Sequence, residues 1–157
     1  MKISIDLIKK LKEQTGAPVL RVKKVLEEVG NLPAQAGEAK AFKVLQKEGF
    51  EKAEKRQTRQ TGQGKIFTYV HHTGKVAGVV ELLCETDFVA RNELFETLGR
   101  DISMQTAGMG EKDIEKQEFI KDPAKKVGDL VKEVIAKTGE NIRIGRVFRV
   151  ELGQKNG

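Results

Sequence analysis

The apolar residues of this chain change their period once, near Lys65, and that change calls for a helical part followed by a part that mixes sheet with helix. Before it they recur at three- and four-residue spacing: Leu7, Ile8 and Leu11, then Val22, Val25, Leu26 and Val29, then Ala36, Ala41, Val44 and Leu45. Ser4, Pro18 and Pro33 stand where such helices begin, because a hydroxyl accepts from free first-turn amides and proline has no amide to satisfy there. Gly16, Gly30 and Gly49 stand where they end. Residues 1–50 are therefore expected to form a three-helix module. A core that small is marginal alone, and suits binding better than catalysis.

Beyond Lys65 the pattern is that of strands. Ile66-Phe67-Thr68-Tyr69-Val70 is rich in β-formers, His72 to Lys75 supplies turn chemistry, and Val76 to Leu83 is a second apolar run, which together predict an antiparallel hairpin. Asn92 is placed to cap a helix carrying Leu94, Phe95, Leu98 and Ile102 and ending near Gly108. Asp122 and Pro123 are read as cap and first residue of a further helix, striped by Val127, Leu130, Val131, Val134 and Ile135 and stopped at Thr138-Gly139. Ile142 to Leu152 closes the same sheet, with a bulge expected at Gly145. The core domain over residues 65–152 is thus of class α+β, a three-stranded antiparallel sheet packed by helices in the order β-β-α-α-β, with a tail at 153–157. Residues 51–64 hold one alanine as their only apolar residue besides glycine, and read as a basic linker or as an exposed helix fraying into Gly62 and Gly64.

Charge divides at the same place. The net charge is +6, and residues 1–64 carry all of it, with 14 Lys+Arg against 8 Asp+Glu, while the rest has 15 of each. A basic arm docking on an acidic partner fits that division better than a uniformly basic nucleic-acid binder. In the connector Lys52, Lys55, Arg56 and Arg59 are candidates for phosphate contact, but Glu51 and Glu54 are interleaved and no aromatic residue offers a stacking platform, so direct nucleic-acid binding is not expected. Cys84 is the single cysteine, which excludes an internal disulfide and a zinc site of paired thiolates and suits a reducing, cytoplasmic setting. The N-terminal stretch has charges at positions 2, 6, 9 and 10, unlike a signal peptide, and no run approaches the length of a membrane helix.

Catalytic chemistry has no visible home. His71 and His72, read as neighbours on a strand, would point to opposite faces and could not chelate together. Cys84 follows an apolar strand with no base nearby and is expected as a buried structural thiol. Gly62-Gln63-Gly64-Lys65 lacks the spacing of a phosphate loop, and Glu81, the carboxylate nearest an apolar run, is expected in a strand-edge salt bridge. No catalytic residue, metal or cofactor is expected, and the chain is read as a non-enzyme.

One junction remains. Leu83 to Asn92 takes the chain from an apolar strand to a helix cap, with Phe88 and Val89 in between. Composition and spacing favour packing of Phe88 into the protein's own core; an exposed aromatic anchor beside a carboxylate, as at an interface hot spot, is the alternative. The run Cys84-Glu85-Thr86-Asp87-Phe88-Val89-Ala90-Arg91 resembles the signature of the elongation factor Ts family. Three further stretches agree in order: Leu7-Ile8-Lys9-Lys10-Leu11 with Thr15-Gly16-Ala17 and Lys23-Lys24, Tyr69-Val70-His71-His72, and Lys137-Thr138-Gly139-Glu140-Asn141-Ile142. The resemblance implies a ubiquitin-associated-like N-terminal module and a core domain that together grip elongation factor Tu, in its GDP-bound and nucleotide-free forms, as a guanine nucleotide exchange factor. It implies that Thr86, Asp87, Phe88 and Val89 form the turn that dislodges magnesium, with Phe88 as the wedge, and that Gly16, Val19, Leu20, Lys23 and Lys24 make an N-terminal partner contact. Where the family usually continues Gly-Met-Met-Asp-Cys after Thr15-Gly16-Ala17, this chain has Pro18-Val19-Leu20-Arg21-Val22, keeping an apolar pair. The chain also lacks the family's helical insertion between Gly108 and Phe119 and holds one copy of a core subdomain that longer members carry twice, which implies a homodimer through the core sheet.

Overall fold

The computed structural model describes residues 2–155. Helix α1 (Ile5–Thr15) begins where Ser4 Oγ accepts from the Leu7 amide at 3.1 Å and ends at Gly16, whose φ of 72° is open to glycine at little cost. Helices α2 (Val19–Glu28) and α3 (Ala34–Lys55) each follow a proline, as expected. Ile8, Leu11, Val22, Val25, Leu26, Val29, Ala41 and Leu45 bury one another in a first small core. Ala36, read as part of the apolar stripe, is exposed, and Gly37 takes the inward position instead. The Arg21 guanidinium fastens α2 to α3, donating from Nε to Glu48 Oε2 at 2.9 Å and from Nη2 to Oε1 at 2.5 Å. That fork holds the Glu48 carboxyl below the ordinary carboxylate range.

Helix α3 does not stop at Gly49. It runs on to Lys55, so the stretch 51–64 divides between the two readings: residues 51–55 are helix and residues 56–62 connect it to β1. Ala53, its one apolar side chain, is buried, and it belongs to the second core rather than the first. A single rod therefore enters both cores, with Leu45 in one and Ala53 in the other.

The second core lies under an antiparallel sheet of β1 (Gln63–Val70), β2 (Val76–Cys84) and β5 (Ile142–Glu151), with β2 in the centre. Between β2 and β5 lie α4 (Asp87–Ala90), α5 (Glu93–Met109), a 3-10 turn (Ile114–Lys116), the short strands β3 (Glu118–Phe119) and β4 (Asp122–Lys126), and α6 (Val127–Thr138). The period-two burial along β2 turns Val80, Leu82 and Cys84 inward, where they meet Phe95, Leu98 and Ile102 of α5 and Val131, Val134 and Ile135 of α6. Helix α5 comes close to the sheet because two glycines permit it: a Cβ at Gly78 would lie 2.2 Å from Ser103 O, and one at Gly99 would lie 2.1 Å from the Phe67 ring.

The bulge is where Gly145 predicted it. Val80 pairs with Val147 and Leu82 with Ile144, so Glu81 faces both Gly145 and Arg146. Glu81 Oε2 accepts from Arg146 Nη2 at 3.1 Å, so the expected ion pair forms, but Glu81 stands on the central strand and only Arg146 on an edge; that bond lowers the Glu81 pKa. The start of the last helix differs from expectation. Asp122 and Pro123 open strand β4 instead, since proline is tolerated on an edge strand as readily as in a first helical turn. The helix begins four residues later than expected, at Val127, where Asp129 Oδ2 accepts from the Lys126 amide at 3.0 Å. No helix among the described residues is long and apolar enough to cross a membrane.

Among the described residues nothing covers the other face of the sheet. Ile66, Val70, Phe148 and Val150 are exposed there, in cross-strand rows that include Val70, Ala77 and Val150, and Thr68, Val79 and Phe148.

Candidate functional site

Strand β2 runs straight into the junction singled out in the sequence. Cys84, its last residue, is buried, and its thiol donates to Thr86 O at 3.1 Å. Burial, with the negative charge of Glu140 nearby, pushes the thiol pKa up to about 11, so it is a packed structural group and no nucleophile at neutral pH. Thr86 is extended and caps α4, its Oγ1 accepting from the Val89 amide at 3.4 Å. Successive side chains of a helical turn point in different directions. Val89 and Ala90 take the inward directions and are buried in the core, which leaves Asp87 and Phe88 outside.

Phe88 is 79% exposed. The core packing that composition favours is thus not what the fold does; the aromatic ring stands in water. It is flanked by Arg91, whose guanidinium carbon lies 5.9 Å from the ring centroid and which bonds Asp87 Oδ2 at 2.5 Å and Asp87 O at 3.3 Å. Asn92 then caps α5 as expected, accepting from the Leu94 amide at 2.8 Å.

A three-residue loop between α6 and β5, Gly139-Glu140-Asn141, grips the turn from behind. Glu140 accepts from the Thr86 amide at 2.9 Å and from the Thr86 hydroxyl at 2.6 Å. In return Glu85 Oε1 accepts from the Asn141 amide at 3.0 Å. Asn141 is buried, and its Nδ2 donates to Arg59 O at 2.9 Å and Gln57 O at 3.4 Å, just past the end of α3. Arg59 closes the group by donating to Gly139 O at 3.3 Å. Hydrogen bonds to a charged acceptor are worth about 1.5–3 kcal/mol each, so this cluster outweighs the exposed Asp87–Arg91 pair at about 0.3–0.5 kcal/mol. Glu85, Glu140 and Asn141 carry no role in the sequence reading. Their one signal there is membership of the stretches Cys84–Arg91 and Lys137–Ile142, because their partners lie far away along the chain.

The N-terminal residues divide. Leu20 is 80% exposed, and Val19, Lys23 and Lys24 are also exposed, on the face of α2 opposite Val22, Val25 and Leu26. Gly16 looks the other way: a Cβ there would lie 2.7 Å from Ala136 O and 2.8 Å from Lys137 Cα, so the turn between α1 and α2 is pressed onto α6.

His71 and His72 overturn the alternation expected of them. Strand β1 ends at Val70, both histidines lie in the turn, and their rings sit side by side with centroids 4.2 Å apart, His71 Nδ1 paired with the Tyr69 hydroxyl at 3.1 Å. Among the described residues no group of three or more His, Cys, Asp or Glu side chains is placed to hold a metal ion.

The family model described as Elongation factor TS matches residues 85–157, beginning within this junction. A protein of Thermotoga petrophila named Elongation factor Ts is 38% identical over 200 aligned positions, covering 98% of this chain and 98% of the relative. The chain belongs to the elongation factor Ts family. Elongation factor Ts of Leptospira biflexa serovar Patoc is similar at 37% identity, covering 98% of this chain and 99% of its own length. Elongation factor Ts of Aquifex aeolicus is 41% identical over 160 positions, which is 96% of this chain but 53% of that relative. An alignment of 200 positions exceeds the 157 residues here, so the Thermotoga petrophila elongation factor Ts carries stretches that this chain lacks.

Proposed function

We propose that this translation elongation factor is a guanine nucleotide exchange factor for elongation factor Tu, acting in the cytoplasm, with no cofactor and no chemistry of its own. One observation carries the reading: Phe88 is held 79% exposed on a capped turn whose next two side chains are buried. A large apolar ring kept in water by an ordered scaffold is the form of an interface anchor. In this reading Phe88 enters a cleft of the GTPase and shifts the elements that hold magnesium and the phosphates of GDP. Asp87 is its polar partner, and Thr86 and Val89 fix the turn. Val19, Leu20, Lys23 and Lys24 make a second contact from the helical module, and Gly16 sets the angle of that module on the core.

The working principle is linkage. A factor that binds nucleotide-free elongation factor Tu more tightly than the GDP form weakens GDP by the same free energy, and GDP weakens the factor equally. GTP then fills the emptied site. The division into a helical module (1–50), a basic connector (51–64) whose first five residues complete α3, a core domain (65–152) and a tail (153–157) follows these roles. The bare sheet face with Ile66, Val70, Phe148 and Val150 is assigned to pairing with a second copy of the chain.

The test is release of labelled GDP from elongation factor Tu. The wild-type factor accelerates it, and Phe88→Ala reduces the acceleration about 10-fold or more, as for a hot-spot residue. No acceleration by the wild type removes the exchange reading. An undiminished mutant removes the wedge.

A further inference from the structure

We propose that Glu140 is a positioning residue for exchange: by gripping both the amide and the hydroxyl of Thr86, it sets the direction in which Phe88 is presented. The inference rests on the exchange reading and assigns a role to a stretch, Lys137–Ile142, that the reading leaves idle. Helix α4 has four residues, too few to hold its own shape in water. Its internal cap from Thr86 to Val89 is long, at 3.4 Å, and its Asp87–Arg91 pair is exposed on both sides. Its direction must therefore come from its two ends. The far end is set by burial of Val89 and Ala90. The near end is set by Glu140, at 2.9 and 2.6 Å from the two donors of Thr86.

A carboxylate suits that task because both oxygens only accept, so Thr86 can meet it in one orientation alone. With its proton directed at Glu140, the Thr86 hydroxyl has a lone pair free for the Val89 amide, and the cap and the grip support each other. The neighbouring Asn141 donates from its side chain to the carbonyls of Gln57 and Arg59 and from its backbone amide to Glu85 Oε1. The wedge and the end of the rod from the helical module thus take their bearing from the same two residues.

Four variants test this: Glu140→Ala, which loses both bonds; Glu140→Gln, whose amide oxygen still accepts from Thr86 N while its nitrogen donates to the hydroxyl; and each of these combined with Phe88→Ala. In the free factor, hydrogen–deuterium exchange of the segment 86–92 rises in Glu140→Ala and returns toward wild type in Glu140→Gln. With elongation factor Tu, Glu140→Ala lowers the maximal rate of labelled GDP release about 10-fold, as a displaced contact group does, and Glu140→Gln recovers most of it. In the Phe88→Ala background Glu140→Ala adds no further loss, because the ring it aims is gone. Unchanged protection of 86–92, or an equal loss with and without Phe88, overturns the proposal. Should Glu140→Ala not fold, Thr86→Val removes the hydroxyl bond from the other side and carries the same expectations. If the wild-type factor releases no GDP, the exchange reading falls and takes the functional half of this one with it. The protection data then still decide whether Glu140 holds the turn.

Discussion

Two phenylalanines seven positions apart show how little a residue type says by itself. Phe95 is fully buried and rests its ring against Phe67 with centroids 5.9 Å apart, whereas Phe88 touches water over most of its surface. Phe88→Ala should therefore change the free energy of unfolding by no more than about 0.5 kcal/mol. Phe95→Ala should cost about 3–5 kcal/mol, and urea denaturation of the two variants separates them. A large loss in Phe88→Ala would place that ring in the core and end its candidacy as an anchor. Phe95 was legible from spacing because it sits in a long helix with a period. Phe88 was not, because a four-residue turn has no period to read, and only the family resemblance pointed outward. Glu81 was legible as an ion-paired carboxylate, though not as one on the central strand, and Cys84 as a buried thiol. The histidine pair was misread since the strand ends one residue before it, so the alternation that would have parted the rings does not reach them.

At the level of elements, boundaries were readable where a side chain caps and unreadable where tertiary contact decides. Ser4 and Asn92 mark their helices, as do Gly16 and Gly139. Helix α3 passes Gly49 because Ala53 finds a place in the second core, a reward that no local pattern advertises. Asp122-Pro123 suits a helix start and an edge strand equally, and pairing with Glu118–Phe119 chooses the strand. The joint between the two modules turns on Gly16, which combines a left-handed backbone with backbone of α6 pressed against its Cα. Gly16→Ala should lose about 1–2 kcal/mol from the left-handed conformation alone, and more from the clash with Ala136 O. Thermal unfolding should record the loss, and limited proteolysis should show faster cutting between residues 56 and 62 as the module lifts. A melting temperature equal to that of the wild type would mean that the joint is looser than the packing implies.

For the molecule as a whole, the class α+β, the β1–β2 hairpin and the bulge were within reach of period and glycine placement, while the pairing of the last strand with β2 and the bare sheet face were not, since alternation counts inward and outward residues without saying which strand lies beside them or what covers the outer ones. Pairing of two such faces predicts a dimer in sedimentation velocity at micromolar concentration, and Phe148→Glu should return it to a monomer by placing a charge beside Val79 on the paired face. A wild-type monomer under those conditions would remove the pairing. The loop of Glu140 and Asn141 also bears on how the molecule comes into being. Glu140 follows Thr86 by 54 residues, and Asn141 follows Gln57 by 84. Contacts that far apart along a chain close late in folding. During synthesis Phe88 emerges long before the residues that aim it, so a nascent chain displays the ring with no settled direction, and the surface becomes competent only when the last strand joins the sheet.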